Sequence, residues 1–368
     1  MTDKDKKLKI LALVAIVVIV ASIGAYVYTS QQDTESATKE TRTITDMAGR
    51  TVEMPVEVNR VIGTSPPTTM IVYMLAPDKL MGWNFKPGGS YMSSKYLNLP
   101  VVGGWFGKQS ANYENMISMN PDIVLEGFTT QGDLNTTIIE RQQKFGEIPV
   151  VGVTATADIT ANEAPIRFLG EILGEEEKAA ELISFYNKIM NDVNIRVSQI
   201  PESEKKRVYY AEGPQGLMTD PKGSTHSQLI ELCGGINVAK CPLKKGMGMR
   251  EVSIEQVLKW DPDVIIARDP IFYKNVFSNP LWQNVTAVKN REVYLTPDAP
   301  FCWFDRPHGA NRIIGIPWTA KILYPERFED LDLNSLTKEF YSKFYHYNLT
   351  DEEVYDILNP GKGDKNEG

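Results

Sequence analysis

The feature that constrains the fold most is a pattern that occurs twice in the chain. Residues 113–125 (YENMISMNPDIVL) align without a gap with residues 254–266 (IEQVLKWDPDVII), and the Glu, the Pro-Asp pair and most apolar positions coincide. Each copy predicts a short helix, a Pro-Asp that ends it and a buried strand. A chain that builds one unit twice is expected to form two α/β lobes of the same design.

Short apolar runs bounded by turn-forming residues predict the remaining strands, and amphipathic segments between them predict helices, for example at 134–145. Strands that alternate with helices in this way indicate parallel sheets with crossover helices. The predicted strands are at 60–65, 123–125, 149–153, 207–211, 264–267 and 293–295.

Between Glu171 and Ile200 the pattern changes to apolar residues at steps of three and four, which predicts one long amphipathic helix that ends before Pro201. The tail from Leu333 to Leu358 also has a helical pattern. We therefore expect two α/β lobes on either side of one long helix. The predicted segments are an N-terminal lobe at 43–165, a linking helix region at 166–201, a C-terminal lobe at 202–328 and a C-terminal helix and tail at 329–368.

The N-terminal segment is unlike the rest of the chain. Residues 10–28 form an uncharged and almost wholly apolar run, which is long enough to cross a bilayer. Four lysines lie within residues 1–9, so the positive-inside rule places this end in the cytoplasm and the body outside. We predict a membrane anchor followed by a polar linker at 29–42, and a cleaved signal peptide is the alternative. In either case the body is extracytoplasmic.

Composition and motifs exclude several classes of protein. The net charge of −8, with no basic stripe, disfavours nucleic-acid binding. The chain has no Ser-His-Asp set, Walker loop or G-x-G-x-x-G motif, and we predict that it is not an enzyme. Of its three cysteines, Cys233 and Cys241 could pair, or all three could be buried thiols. Their spacing does not indicate a zinc site.

An ordered set of segments resembles one family. ITDMAGRTVEMP, RVIGTSP, LPVVGGW and YENMISMNPDIVLEG, followed by LIELCGGINVA, EVSIEQVLKWDPDVII and NREVYLTP, resemble ABC-transporter substrate-binding proteins of the iron-siderophore and cobalamin branch. The resemblance covers the body from about Thr43 to Tyr324. It implies two Rossmann-like lobes joined by one long helix, with a ligand cleft between the lobes. We expect the body to be monomeric.

The resemblance also implies how the protein docks. Members of the family present one Glu from each lobe to arginines of a transmembrane permease dimer, which works with an ATPase. Glu114 and Glu255 occupy the matching positions, and they are the pair that the internal repeat brings out. The alternative is that both are ordinary acidic residues at helix starts, where the helix dipole favours a carboxylate.

Ligand residues are expected on the loops that follow the carboxyl ends of the strands, since these loops line the cleft. Aromatic rings and arginines there suit a bulky anionic metal complex. The candidates in the first half are Ser65, Trp83, Phe85, Trp105, Phe106 and Phe128, and those in the second half are Tyr210, Met249, Arg250, Arg268, Trp303, Asp305, Arg306 and His308.

The expected ligand is an iron(III) chelate of the siderophore kind, with a corrinoid such as cobalamin second and haem or a free metal third. We predict no resident cofactor and no metal held by the protein alone, although His308 could coordinate the metal of a chelate. A surface receptor that works without a permease is the alternative from another class. Glu114 and Glu255 disfavour it, because such a receptor needs no docking pair.

Overall fold

A computed structural model describes residues 40–88, 91–127, 133–243 and 248–361 of the chain. The chain from Thr43 onward forms one unit, which contains both predicted lobes. The predicted anchor at 10–28 lies outside the described residues. Within the described ranges, no helix is both long enough and apolar enough to cross a membrane.

The body begins with a two-stranded hairpin, β1 (Thr41–Thr45) and β2 (Thr51–Pro55). Asp46 shapes its turn, because one carboxylate oxygen accepts the backbone N–H of Arg50 at 2.9 Å. The other oxygen accepts the N–H of Gly152 at 2.9 Å. The hairpin is thereby fixed to the sheet of the first lobe.

The first lobe is built on a three-stranded parallel sheet in the order β3-β4-β5. All three strands are buried along their whole length, as expected of a parallel sheet covered on both faces. The elements of this lobe are β3 (Val61–Gly63), α1 (Pro66–Leu75), α2 (Ser94–Leu97), α3 (Tyr113–Ser118), β4 (Ile123–Glu126), α4 (Leu134–Phe145) and β5 (Val150–Gly152).

Two helices follow the first lobe, α5 (Glu163–Leu173) and α6 (Glu176–Val197). The sequence predicted one helix from Glu171 to Ile200, and this was wrong at its N-terminal end. Gly174 adopts φ +68°, a left-handed conformation that ends α5 and separates it from α6. The long helix α6 has 22 residues, and its apolar stripe is buried as predicted.

The second lobe carries a four-stranded parallel sheet in the order β11-β10-β6-β8, with β7 and β9 paired as a separate antiparallel ribbon. Three helices follow β11 in the described residues, α11 (Gly315–Leu323), α12 (Leu333–Tyr345) and α13 (Asp351–Leu358). The elements of this lobe are β6 (Arg207–Ala211), β7 (Met218–Thr219), α7 (Gln228–Leu232), β8 (Ile236–Asn237), β9 (Arg250–Glu251), α8 (Ile254–Trp260), β10 (Val264–Ala267), α9 (Pro270–Val276), α10 (Thr286–Lys289) and β11 (Val293–Leu295).

The predicted repeat is present as α3–β4 in the first lobe and α8–β10 in the second. An arginine outside each copy holds that copy in place by the same hydrogen bonds. The backbone N–H of Arg60 donates to Asp122 at 2.9 Å, and that of Arg207 donates to Asp263 at 2.9 Å. The two arginine side chains donate to carbonyl oxygens at the ends of α3 and α8 respectively. The lobes therefore share one internal design, as the sequence predicted.

All three cysteines are free thiols in the structure, with Cys233 and Cys302 buried and Cys241 partly buried. The alternative in which Cys233 pairs with Cys241 is therefore wrong. The predicted helical tail is present, but it is divided into α12 and α13. His346 ends α12 in a left-handed conformation at φ +54°.

Candidate functional site

A cluster of buried charged groups lies where strands of the second lobe end. Glu212 follows β6, Asp220 follows β7, and Asp305 with Arg306 comes from the segment after β11. The Arg306 guanidinium lies 3.0 Å from Glu212, 2.6 Å from Asp220 and 3.3 Å from Asp305. The three acidic side chains are 0% exposed, whereas that of Arg306 is 26% exposed. Arg306 thus forms the outward-facing part of the cluster.

Two histidines lie against this cluster. Nδ1 of His226 is 2.5 Å from a carboxylate oxygen of Asp305. The rings of His226 and His308 meet edge to face, with centroids 4.4 Å apart and planes at 90°. One ligand atom from each of His226, Asp305 and His308 lies within 4.8 Å of the others, an arrangement with the residue types that hold transition metals.

The protonation states of the cluster follow from burial and neighbouring charges. Burial, together with the Asp305 carboxylate, raises the pKa of Glu212 well above its ordinary value. Burial by itself would raise the pKa of Asp305, but its interactions with His226 and Arg306 outweigh burial and lower this pKa to about 2. Burial, reinforced by His226, lowers the pKa of His308 well below its ordinary value. At neutral pH, Asp305 is therefore ionised and His308 is a neutral imidazole.

Tyr210 supports this cluster from behind. Its hydroxyl donates to Asp305 at 3.1 Å, and its ring lies 4.7 Å from that of Phe304. The side chain is wholly buried at the end of β6. Tyr210 therefore helps to hold Asp305 in place, and its ring faces the protein interior.

The first lobe contributes the start of α1. Ser65 and Thr68 are both buried there, with their hydroxyl oxygens 3.3 Å apart. The backbone after His308 packs closely on this turn, since a Cβ at Gly309 would lie 3.3 Å from the Cα of Pro67. The histidine segment of the second half of the chain and the predicted Ser65 loop therefore lie side by side.

The predicted aromatic residues divide into two groups. Phe85 and Phe106 are partly exposed and pair at 6.4 Å. Trp105 is also partly exposed, and the Arg141 guanidinium covers its ring at 3.9 Å. Trp83 and Trp303 are buried in the core, where each indole N–H donates to a neighbouring residue. Both indole rings are therefore part of the protein core. Phe128 lies outside the described residues.

The other predicted residues of the second half are Met249, Arg250 and Arg268, and both arginines already donate to other groups. Arg268 donates to Asp298 at 2.8 Å, and Arg250 donates to the carbonyl of Pro242 at 2.8 Å. Met249 is exposed next to Arg250. Of the predicted residues, the structure brings together Tyr210, Asp305, Arg306 and His308, and it places the Ser65 loop beside His308.

The sequence placed Glu212 beside Tyr210 among the cleft residues of the second lobe, but it did not identify His226 or Asp220 as site residues. His226 lies in a segment rich in turn-forming residues (DPKGSTHS), between β7 and α7. The signal that could have identified it is scarcity, because the chain has only three histidines. No sequence spacing links His226 to His308, since they meet only through the fold.

Glu114 and Glu255 are both exposed in the first turn of their helices, α3 and α8. Each helix is capped by the residue two positions earlier. Asn112 accepts the N–H of Glu114 at 2.8 Å, and Ser253 accepts the N–H of Gln256 at 3.3 Å. The two carboxylates therefore occupy equivalent places on the two lobes. Their role in docking stays a prediction.

The periplasmic binding protein family matches residues 61–300 of the chain. An ABC transporter solute-binding protein from Sulfurospirillum deleyianum is 32% identical, with a TM-score of 0.79 over 86% of this chain and 98% of that one. The molybdate-binding protein MolA of Haemophilus influenzae is 28% identical over 83% of this chain and 91% of its own length. The Fe(3+)-citrate-binding protein YfmC of Bacillus subtilis is 22% identical over 78% and 89%.

These relatives are solute-binding proteins rather than enzymes, which confirms that prediction for this chain. The two-lobed α/β fold with parallel sheets is likewise confirmed. The chain therefore belongs to the periplasmic binding protein family, and it is an extracytoplasmic substrate-binding component of an ABC importer.

Proposed function

We propose that the chain captures a metal complex, in the first place an iron(III) chelate, and delivers it to its permease. The observation that carries this proposal is the convergence of His226, Asp305 and His308 within 4.8 Å. A metal complex with open coordination positions presents a cationic centre to these groups. The protein completes its coordination shell and holds it until docking.

The chemistry of the three residues suits this role. Imidazole is a ligand for iron, nickel, copper and zinc, and it must be neutral to bind them. His308 meets that requirement because its pKa lies well below the ordinary value. Asp305 accepts a hydrogen bond from Nδ1–H of His226, as carboxylates do behind metal-binding histidines, and this leaves Nε2 as the donor atom. Arg306, 3.0 Å from that nitrogen, would have to move aside.

Two imidazoles supply only part of a coordination shell, since transition metals in proteins usually take four to six ligands. The remaining donors come from the chelator, which is why a complex suits the site better than a bare ion. Phe85 and Phe106 offer a partly exposed aromatic pair that could cover the organic portion of such a ligand. The name of the iron-citrate-binding relative supports this class of ligand.

A compact oxoanion such as molybdate is the second candidate, and similarity to the molybdate-binding relative favours it. The charges of the cluster disfavour it. Arg306 already faces three buried carboxyl groups, and Arg268 is paired with Asp298. A bound oxoanion needs donors that are not already engaged, and the nearby ionised Asp305 would repel it. We therefore rank it below a metal complex.

Calorimetric titration of the purified protein distinguishes these ligands. Ferric citrate, a ferric siderophore, cobalamin, haemin, molybdate and Ni²⁺ are compared on the wild type and on His226→Ala and His308→Ala. We expect saturable binding of a ferric complex that both substitutions weaken. The control is His346→Ala, because His346 lies at the end of α12 and bonds the carbonyl of Tyr73. Molybdate binding that neither substitution changes would overturn the proposal in favour of the oxoanion.

Two further features remain proposals. We propose that residues 10–28 anchor the body in the membrane, and that Glu114 and Glu255 meet arginines of the permease. Intact-mass measurement of the protein from the membrane fraction tests the first, since a cleaved chain would lack this segment. A permease-independent receptor would bind its ligand normally but would support no uptake when permease and ATPase are supplied.

A further inference from the structure

One arginine near the candidate site is wholly buried. Arg312 lies in a short 3₁₀ turn, Ala310–Ile313, that follows His308, and its side chain is 0% exposed. Its guanidinium donates to the carbonyl of Thr225 at 2.6 Å, to the carbonyl of Ala157 at 2.9 Å and to the side chain of Gln228 at 3.2 Å. These acceptors come from two distant parts of the chain, which Arg312 joins.

The contacts of Arg312 connect the two lobes. Ala157 and Asp158 belong to the segment after β5 of the first lobe, whereas Thr225 and Gln228 belong to the second. Gln228 extends the link, because its amide donates to Asp158 at 2.9 Å while its oxygen accepts from Arg312. The two lobes are thus held together by one polar network directly beside His226.

Burying the charge of Arg312 is costly unless hydrogen bonds or an opposite charge compensate for the lost hydration. In the described part of the chain, the hydrogen-bond partners of Arg312 are two carbonyl oxygens and one amide, none of them a carboxylate. Hydrogen bonds to neutral groups stabilise a buried guanidinium less than hydrogen bonds to a carboxylate do. Burial lowers the pKa of Arg312 to about 10, so the side chain still carries its charge at neutral pH.

The residues bonded to Arg312 flank His226. Thr225 precedes the histidine and Gln228 follows it by two positions. On its other side the same loop is held by Ser224, whose hydroxyl donates to Asp220 at 2.8 Å and accepts the N–H of His226 at 3.2 Å. Arg312 is therefore one of the contacts that fix the backbone on either side of His226, and with it the position of the ring.

We infer that Arg312 is a positioning residue, which holds the backbone beside His226 so that this imidazole meets Asp305 and His308 in the arrangement that binds the metal complex. The inference rests on the proposed function for its effect on binding. The structural half of the inference is that Arg312 sets the position of the His226 ring, and this half does not depend on which ligand binds. The two halves can be tested separately.

Long-range proton–nitrogen correlation spectra of the histidine rings test the structural half. The chain has only three histidines, so each ring can be assigned with a single substitution. In full-length Arg312→Gln without ligand, we expect the ring resonances of His226 and His308 to move while those of His346 stay in place. Unchanged His226 resonances in a folded variant would overturn the inference, whatever the protein binds.

Binding of Co²⁺ and of ferric citrate tests the other half. We expect Arg312→Gln to weaken binding about tenfold or more, as removal of groups behind metal-binding histidines does. The Co²⁺ absorption spectrum of the variant should shift towards that of His226→Ala. A merely stabilising role would lower the melting temperature and leave the spectrum of bound Co²⁺ as in the wild type, and this result would contradict the inference. Wild-type protein that binds neither probe would instead refute the proposed function.

Further variants distinguish an effect on the position of the His226 ring from an effect on the stability of the whole protein. Arg196 also joins two segments, since it donates to the carbonyl of Arg327 at 3.0 Å and pairs with Asp330, away from the cluster. Arg196→Lys should leave the histidine resonances and metal affinity unchanged. Should Arg312→Gln not fold, Gln228→Met removes one partner of Arg312 and its link to Asp158. It should move the His226 resonances in the same direction, and no movement would count against the inference.

Discussion

The carboxylate of Asp305 lies 2.5 Å from Nδ1 of His226, and both belong to a cluster that the fold assembles from segments 79 positions apart. This contact gives the imidazole a defined orientation towards His308. It also explains why the acid is fully buried yet ionised, because His226 and Arg306 stabilise its charge. The pair is the centre of the proposed ligand site.

Asp305→Asn tests this contact. The substitution keeps the size of the side chain but removes the charge that orients His226, and loss of such a partner typically costs about 10–100-fold in metal affinity. We expect calorimetry to give ferric-complex affinity reduced by that factor. The control is Asp330→Asn, which removes an acid that pairs with Arg196 on the surface. Equal affinity for wild type and Asp305→Asn would argue against direct metal coordination at His226.

The backbone at Gly248 covers the ion pair between Asp220 and Arg306. A Cβ at this position would lie 2.4 Å from an Asp220 oxygen and 2.8 Å from Arg306, and the residue has φ +52°. We expect Gly248→Ala to displace the ion pair and to weaken ligand binding. Gly49→Ala is the matched control, since Gly49 also has positive φ but nothing lies within 4 Å of its Cβ. Equal ligand affinity of the two variants would show that the close approach of Gly248 to the Asp220–Arg306 ion pair does not affect ligand binding.

Glu212 predicts a specific dependence of stability on pH. The groups around it are Asp220, Asp305, Arg306, Tyr209 and Tyr210. Burial and the Asp305 charge raise its pKa in the folded state, so between the unfolded and folded pKa values the folded protein binds more protons than the unfolded chain. The free energy of unfolding therefore falls as pH rises above the ordinary pKa of a glutamic acid.

Glu212→Gln removes this titration and keeps an oxygen that accepts from Arg306. In thermal melts we expect the variant to gain stability relative to wild type as pH rises from 4 to 8, where a gain of roughly 1 kcal/mol corresponds to about 2–4 °C. Near pH 4 the two proteins should melt together. A difference that grows in the opposite direction would mean that Glu212 is ionised in the folded protein.

The equivalent places of Glu114 and Glu255 predict their joint effect. Their combined replacement by Ala should leave ligand affinity unchanged and reduce uptake through the permease to background, because charge pairs at an interface orient the partners. Ligand affinity is read by calorimetry, and uptake is read in proteoliposomes that contain permease and ATPase. Normal uptake by the double variant would show that docking uses other residues.

The repeat at 113–125 and 254–266 predicted both copies of the helix and strand correctly, because a Pro-Asp after an apolar helix is a strong local signal. The break at Gly174 was missed, since a single glycine does not interrupt an apolar period as proline does. Trp83 and Trp303 were predicted to line the cleft because they lie on loops. Loop position alone cannot distinguish an aromatic ring in the core from one at the surface.

His226 illustrates what sequence could not supply. Its partners Asp305 and His308 lie about eighty positions away, and only the fold brings the two segments together. Asp305, Arg306 and His308 could be selected as candidates from the sequence, because they are three polar residues in one short segment after a predicted strand. The arginines were predicted to bind an anionic ligand directly, but the structure places Arg306 among buried acids and Arg268 on Asp298.

X-ray absorption at the iron edge, measured on protein loaded with ferric citrate and freed of excess ligand, tests whether His226 and His308 coordinate the metal. We expect outer-shell scattering from imidazole rings, and we expect this scattering to disappear when His226 and His308 are both replaced by Ala. An iron environment of oxygen ligands alone in the wild type, or no iron retained after removal of the excess, would contradict the assignment of this cluster as a metal-complex site.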